Sequence, residues 1–234
     1  MTPRVYLDAE LSMDREVLLD DAPAHHLARV LRLREGDALT LFNGRGGEWQ
    51  AEFLGKRRVR LRGFSDVERE SPLRVTLVQG VSSGERMDYT IQKAVELGVA
   101  AIQPLITRKG VVRLEGDRAL ARVRHWQKVA ISACEQCGRN RIPEVLPLLG
   151  FHEYKPPAEG TKLLLSAQGR SIREFDVKSE AVIAAGPEAG LAEEERAALE
   201  RAGFARASLG PRILRTETAA LAALAALSAL RGDF

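Results

Sequence analysis

The chain has 234 residues, 45% hydrophobic and 29% charged, with 20 glycines and 10 prolines; this suits one or two domains and excludes the disordered, collagen-like and disulfide-scaffold classes. Its 35 basic and 32 acidic residues leave a net charge of +3, so whole-chain electrostatics do not argue for a polyanionic partner. No run of about 18 uncharged apolar residues offers a membrane span, the acidic opening lacks a signal peptide's apolar run, and Cys134 and Cys137 alone are too few ligands for a structural zinc; a cytoplasmic protein without membrane or metal is expected.

From Val5 to about Val67 the apolar runs are short and separated by turn signals. DALTLF and EWQAEFL flank Asn43-Gly44 and Gly46-Gly47, which predicts a hairpin, and the alternation in RRVRLRGF predicts a further strand. In AHHLARVLRL, Leu27, Val30, Leu31 and Leu33 recur at helical spacing. A small β-barrel-like module with one helix is expected over residues 1–70. The polar, proline-ended run ERESP (Glu68 to Pro72) marks its boundary, and a second domain is expected over residues 73–234.

In that domain the apolar runs LRVTLVQG, AAIQPLIT, TKLLLSA, AVIAAG and ARASLG alternate with helical segments such as ERMDYTIQKAVELG and AEEERAALERAG. Strands apolar on both faces and joined through helices predict an α/β fold with a parallel sheet covered on both sides. The last helix, Glu217 to Leu230, is almost wholly apolar. Such a helix is buried in its own core or against a second copy of the chain.

In open parallel sheets ligands bind outside the carboxyl ends of the strands. Three loops there stand out: Gln168-Gly169, Gly186-Pro187-Glu188-Ala189-Gly190, and Gly210-Pro211-Arg212-Ile213-Leu214-Arg215-Thr216-Glu217. Glycine lets backbone approach a ligand closely. The G-x-G-x-x-G and G-x-x-x-x-G-K-[ST] nucleotide motifs are absent. Gly80-Val81-Ser82-Ser83-Gly84 matches G-x-S-x-G and offers Ser82 as a hydrolase nucleophile, with His125 or His152 downstream. Only one strand of the domain precedes it, which argues against a hydrolase. Two local basic surfaces, Arg108 to Arg141 and Lys56 to Arg62, suit phosphates, although solvated helix faces and edge strands carry such charges too.

HHLARVLRLREGD, RMDYTIQKAVELGV, KVAISACEQCGRNRIPEV, GPEAGLAEEE and LGPRILRTETA together resemble one family across nearly the whole chain. It is the bacterial enzymes of the SPOUT class that methylate N3 of a uridine in small-subunit ribosomal RNA. One departure is Ala189, where the family loop usually has glycine.

The resemblance implies an N-terminal PUA-like RNA-binding β-barrel, a C-terminal trefoil-knotted methyltransferase domain and a homodimer completing each site. It implies S-adenosylmethionine held by Leu165, Ser166, Gly186, Pro187, Glu188, Gly190, Leu209, Gly210, Ile213, Leu214 and Thr216. Uridine N3 is nucleophilic only as it loses its proton, so the site must accept that proton or stabilise charge on the neighbouring carbonyls. Candidates are Arg139, Arg141, Arg212 and Arg215 for the charge, and Glu188 or Glu217 for the proton; each arginine could instead bind phosphate or cap a helix. Arg4, Arg29, Arg32, Lys56 and Arg57 are the expected RNA anchors. A catalytically silent RNA-binding factor of ribosome assembly is the competing expectation, opposed by retention of both cofactor loops.

Overall fold

The computed structural model describes residues 2–234. Two short strands, β1 (Arg4–Tyr6) and β2 (Glu16–Leu18), and a one-turn helix α1 (Asp21–His25) precede the predicted hairpin of β3 (Ala38–Phe42) and β4 (Glu48–Phe53), which β5 (Arg58–Ser65) extends. Gly44, Gly46 and Gly47 carry the turn at φ of 78°, 103° and 64°, the left-handed region that L side chains avoid. The sheet order is β1-β3-β4-β5-β2, parallel only between β1 and β3. All five strands send alternate side chains, among them Val5, Val17, Leu39, Leu41, Phe53, Val59 and Leu61, into one core that Leu27 caps. The predicted helix is shorter than AHHLARVLRL: α1 passes into a π-turn at His26–Val30, and Arg32 follows at φ +58°.

The second unit is built from β6 (Arg74–Gly80), α2 (Glu85–Glu96), β7 (Ala101–Ile106), α3 (Gly116–Cys137), β8 (Glu144–Val145), β9 (Leu149–Gly150), β10 (Thr161–Ser171), β11 (Glu180–Ala185), α4 (Glu193–Arg201), β12 (Ala205–Ser208) and α5 (Thr216–Arg231). Its seven strands are all parallel, in the order β12-β10-β11-β6-β7-β8 with β9 also on β7. Every residue of β11 after Glu180 is buried, as the unbroken AVIAA predicts. In α2, Met87, Thr90, Ile91, Ala94 and Val95 form the buried stripe and Gly98 at φ +81° ends the helix. The chain builds outward from β6 to β7 and β8, then crosses to β10, so the sheet switches direction between β6 and β11.

Three expectations change. Gln168-Gly169 is not a loop after β10: the strand continues through it with a register shift between Leu165 and Arg170. A Cβ on Gly169 would lie 2.5 Å from the Arg206 carbonyl oxygen and 2.6 Å from the Ala207 nitrogen, so the close approach of two backbones requires glycine there. Helix α5 is buried on one face only, through Ala220, Ala223, Leu224, Leu227 and Ser228.

Finally, the residues Cys134–Ile142, read from sequence as part of the second domain, group with Met1–Glu70. The reason is a set of ion pairs: Arg139 with Glu70, and Arg141 Nε with Glu68 at 2.8 Å. Arg4 donates to Asn140 Oδ1 at 2.7 Å and stands over the Phe42 ring at 5.0 Å. These contacts correct three site expectations. Arg4, its side chain only 11% exposed, is part of this network and not an open RNA anchor. Arg139 and Arg141, expected at the catalytic centre, spend their guanidinium groups on Glu70 and Glu68. Cys134, in the same segment, is buried, and burial pushes its thiol up to about 12. A maleimide at pH 8 should therefore label Cys137 and leave Cys134 unmodified, as peptide mass mapping would show.

Candidate active site

A cleft of about 620 Å³ opens at the carboxyl ends of β10 and β11 and the amino end of α5, beside the switch between β6 and β11. Leu164, Leu165, Leu191, Ile213 and Leu214 supply apolar walls, and Gly186, Pro187 and Gly190 bring backbone to its edge. Nine of the residues expected to hold a cofactor meet here: Leu165, Ser166, Gly186, Pro187, Glu188, Gly190, Ile213, Leu214 and Thr216. Leu209 and Gly210 line an adjoining recess of about 130 Å³ with Leu165, Ser166 and Arg212. The turns explain how short segments reach the site. Gly190 sits at φ +69° and Gly210 at φ +110°, and a Cβ on either would meet nothing within 4 Å, so both face open space. Ala189 is absent from the positive-φ residues, so replacing the family's glycine there demands no rearrangement.

The two cleft carboxylates differ. Glu188 Oε1 accepts from the Ser83 backbone N–H at 2.9 Å, the Ser83 hydroxyl at 2.7 Å and Arg86 Nη1 at 2.8 Å. Burial opposes its ionisation, but its own backbone N–H, Ser83 and Arg86 outweigh that and hold the carboxyl down to about 2. A group so acidic is a poor proton acceptor at neutral pH, which corrects its candidacy as base: it ties the Gly186–Gly190 loop to the start of α2. Glu217, in the first turn of α5, keeps its Oε2 buried with no hydrogen-bond partner. A buried acceptor left open beside a cavity is an unmet demand for a donor or a cation.

Arg215 borders the cleft and Arg212 the recess, and neither makes an ion pair among the described residues. Sequence reasoning passed over Ser83 and Arg86, whose roles follow from long-range contacts, and Arg196, which lines the cleft from α4 and bonds Glu193. Ser82, the possible hydrolase nucleophile, is buried with its hydroxyl unpartnered, so no base activates it. His125 is instead 2.7 Å from Asp88. No helix among the described residues is long and apolar enough to cross a membrane.

An apolar, glycine-edged cleft with one saturated and one open carboxylate and two unpaired arginines fits a nucleoside-sized cation reacting beside an anion in formation. Comparison with known proteins decides the family. A model described as RNA methyltransferase domain matches residues 69–228, and one described as RNA methyltransferase PUA domain matches residues 19–62. Ribosomal RNA small subunit methyltransferase E of Buchnera aphidicola is 33% identical over 99% of this chain and 95% of its own. The chain belongs to the ribosomal RNA small subunit methyltransferase E family. Its member from Bacillus subtilis is 31% identical over 89% of this chain and 90% of that protein. The crystal structure of the Neisseria gonorrhoeae methyltransferase E, bound to S-adenosyl methionine, superposes with a TM-score of 0.94 at 45% identity, covering 100% of both chains. The small-subunit methyltransferase E family and its PUA module are thus those expected from LGPRILRTETA and its companion segments.

Proposed function

We propose that this protein transfers a methyl group from S-adenosylmethionine to N3 of a uridine in small-subunit ribosomal RNA. The observation that carries the reading is the cleft itself, where Glu217 Oε2 lies buried and unpartnered among loops Gly186–Gly190 and Gly210–Thr216. Its residues suit the cofactor: apolar walls for adenine, backbone groups for its edge, and carboxylates for a molecule that carries positive charge. Bound there, S-adenosylmethionine supplies a methyl carbon on a positively charged sulfur, which departs as a neutral thioether when the carbon bonds to nitrogen.

The protein's own groups do the rest. Glu217 accepts the N3 proton as the nitrogen lone pair forms its bond. Arg212 and Arg215, free of carboxylate partners, stabilise negative charge developing on the uracil carbonyls. Thr216 and the Gly186 carbonyl hold the two loops in register through the hydrogen bond from the Thr216 hydroxyl. The knot and the homodimer implied by the family resemblance belong to the same proposal. Ile213 is 92% exposed at the lip of the cleft, and Ala222 and Ala226 of α5 line a neighbouring groove, so a second copy of the chain has an apolar surface to cover. A ribosomal substrate places the work in the cytoplasm.

RNA is anchored by the first unit. Arg29, Arg32 and Lys56 are exposed and make no ion pair among the described residues, and Arg32 and Lys56 sit at φ +58° and +54°. Arg57 is a weaker anchor, since it bonds Asp21 at 2.7 Å and the Leu19 carbonyl at 2.7 Å. Arg29→Ala and Arg32→Ala should each lower RNA affinity and reduce the slope of log K against log salt by about 1, with cofactor binding unchanged; an unaltered slope in filter-binding assays would remove this surface from the interface.

Transfer of labelled methyl from S-adenosylmethionine to unmodified small ribosomal subunits and to naked RNA, followed by mass mapping, tests the reading. A single N3-methyluridine is expected. Cofactor binding with no transfer to either substrate would mean that the substrate is a different one, whereas absence of S-adenosylmethionine binding would favour a silent RNA-binding assembly factor.

A further inference from the structure

Gln79, the penultimate residue of β6, lies where a polar side chain is costly: it is fully buried, next to Val78, and outside the lining of the cleft. Its amide nitrogen lies 3.0 Å from the Gly80 carbonyl, 3.3 Å from the Gly186 carbonyl and 3.0 Å from Thr216 Oγ1. The Thr216 hydroxyl in turn donates to the same Gly186 carbonyl. Gly186 begins the loop after β11 and Thr216 begins α5, so one side chain from a third element ties together two walls of the cleft. The Gln79 Oε1 is buried and has no partner. An amide whose oxygen is left unmet while its nitrogen serves three acceptors is placed for donation, because an apolar side chain would fill this site without that cost.

We infer that Gln79 is a positioning residue for the cofactor cleft, setting the separation of the Gly186 loop and Thr216 through its amide hydrogens. This rests on the methyl-transfer reading of the cleft. Gln79 touches no reacting atom; it acts through Gly186 and Thr216. The bond network is directional: the Thr216 hydroxyl accepts from Gln79 and can therefore turn its single proton only to Gly186. Removing the amide donor frees that hydroxyl to rotate and leaves the Gly186 carbonyl with a less constrained partner.

Two variants of nearly equal size separate positioning from simple packing. Gln79→Leu removes the donors; Gln79→Glu replaces the nitrogen with oxygen and presents an acceptor to the Gly80 and Gly186 carbonyl oxygens. Each is purified, checked for native secondary structure and melting temperature, and titrated calorimetrically with S-adenosylhomocysteine well below its melting point; KM for S-adenosylmethionine and for RNA are then measured. With one or two hydrogen bonds lost, the dissociation constant and the cofactor KM should rise about ten-fold in Gln79→Leu and further in Gln79→Glu, while the RNA KM stays near the wild-type value. Gln79→Met, which is unbranched and packs adaptably, provides a milder donor-less variant if leucine prevents folding.

Cofactor affinity unchanged in Gln79→Leu or Gln79→Met overturns the inference and leaves the proposed function standing. A parallel rise in both KM values also overturns it, since general loosening of the fold would produce that. Failure of the wild-type protein to bind S-adenosylhomocysteine would instead strike the proposed function, and the inference with it.

Discussion

Gly80→Ala is expected to cost the protein about a hundred-fold in affinity for S-adenosylhomocysteine, the scale on which about 1 Å of misplacement acts. Gly80 ends β6, and a Cβ there would stand 2.5 Å from Pro187 Cδ, 2.6 Å from the Pro187 nitrogen and 3.0 Å from the Gly186 carbonyl carbon. Two of those atoms are main chain and the third, Pro187 Cδ, is bonded to it, so no side-chain rotation relieves the overlap and the Gly186–Pro187 turn itself must move. The cost in stability should be about 1–3 kcal/mol, as for other overpacked sites. The affinity loss, about 2.8 kcal/mol, is of the same size, because the displaced segment is a wall of the cleft. Calorimetric titration with a thermal melt on the same sample reads both quantities. Gly63→Ala is the control: its Cβ would meet only the Gln50 side chain, at 3.5 Å, an ordinary contact. Near wild-type affinity in Gly80→Ala would show that the loop yields without affecting the ligand.

The second large effect concerns the proton. Glu217→Gln preserves the size of the side chain and its place in the first turn of α5, but an amide cannot take a proton from uridine N3. Loss of a general base typically costs about 10²–10⁴ in rate, so single-turnover methyl transfer should slow by about a hundred-fold or more, with cofactor affinity changed only a few-fold. The pH dependence separates it from Glu188. With Glu188 held at about 2, its ionised form persists across the neutral range. A carboxylate whose folded pKa is depressed contributes fully above its ordinary value near 4 and loses that contribution only as pH falls toward the folded value. The clamp from Ser83 and Arg86 to Glu188 therefore stays intact wherever transfer is assayed. Any ionisation limiting the wild-type rate near neutrality therefore does not belong to Glu188. A variant that transfers methyl at the normal rate would assign the proton to solvent, with Arg212 and Arg215 left to stabilise the anion.

Local order was legible in the residues because period and turn chemistry act over a few positions. AVIAA is apolar on both faces and became the buried β11; Asn43-Gly44 and Gly46-Gly47 turned the hairpin; ERMDYTIQKAVE carried a helical stripe into α2. Glycine and proline after the strands pointed to the loops that line the cleft, since backbone must come close to a ligand there. The family segments, read in order along the chain, pointed to the methyltransferase E family, to which the chain belongs.

The roles of charged and polar side chains were decided only in three dimensions. Arg139 and Arg4 looked as available as Arg29, yet Glu70 and Asn140, 69 and 136 positions away along the chain, claim them and bring Cys134–Ile142 into the first unit. Glu188 and Glu217 were equivalent as letters; Ser83 and Arg86 saturate one and burial leaves the other open. Gln79 carried no motif at all, and its partners lie 107 and 137 residues away. Hydrophobic periodicity determines which face of an element is buried, whereas a hydrogen bond depends on about a tenth of an ångström and on which distant partner the packed sheet delivers.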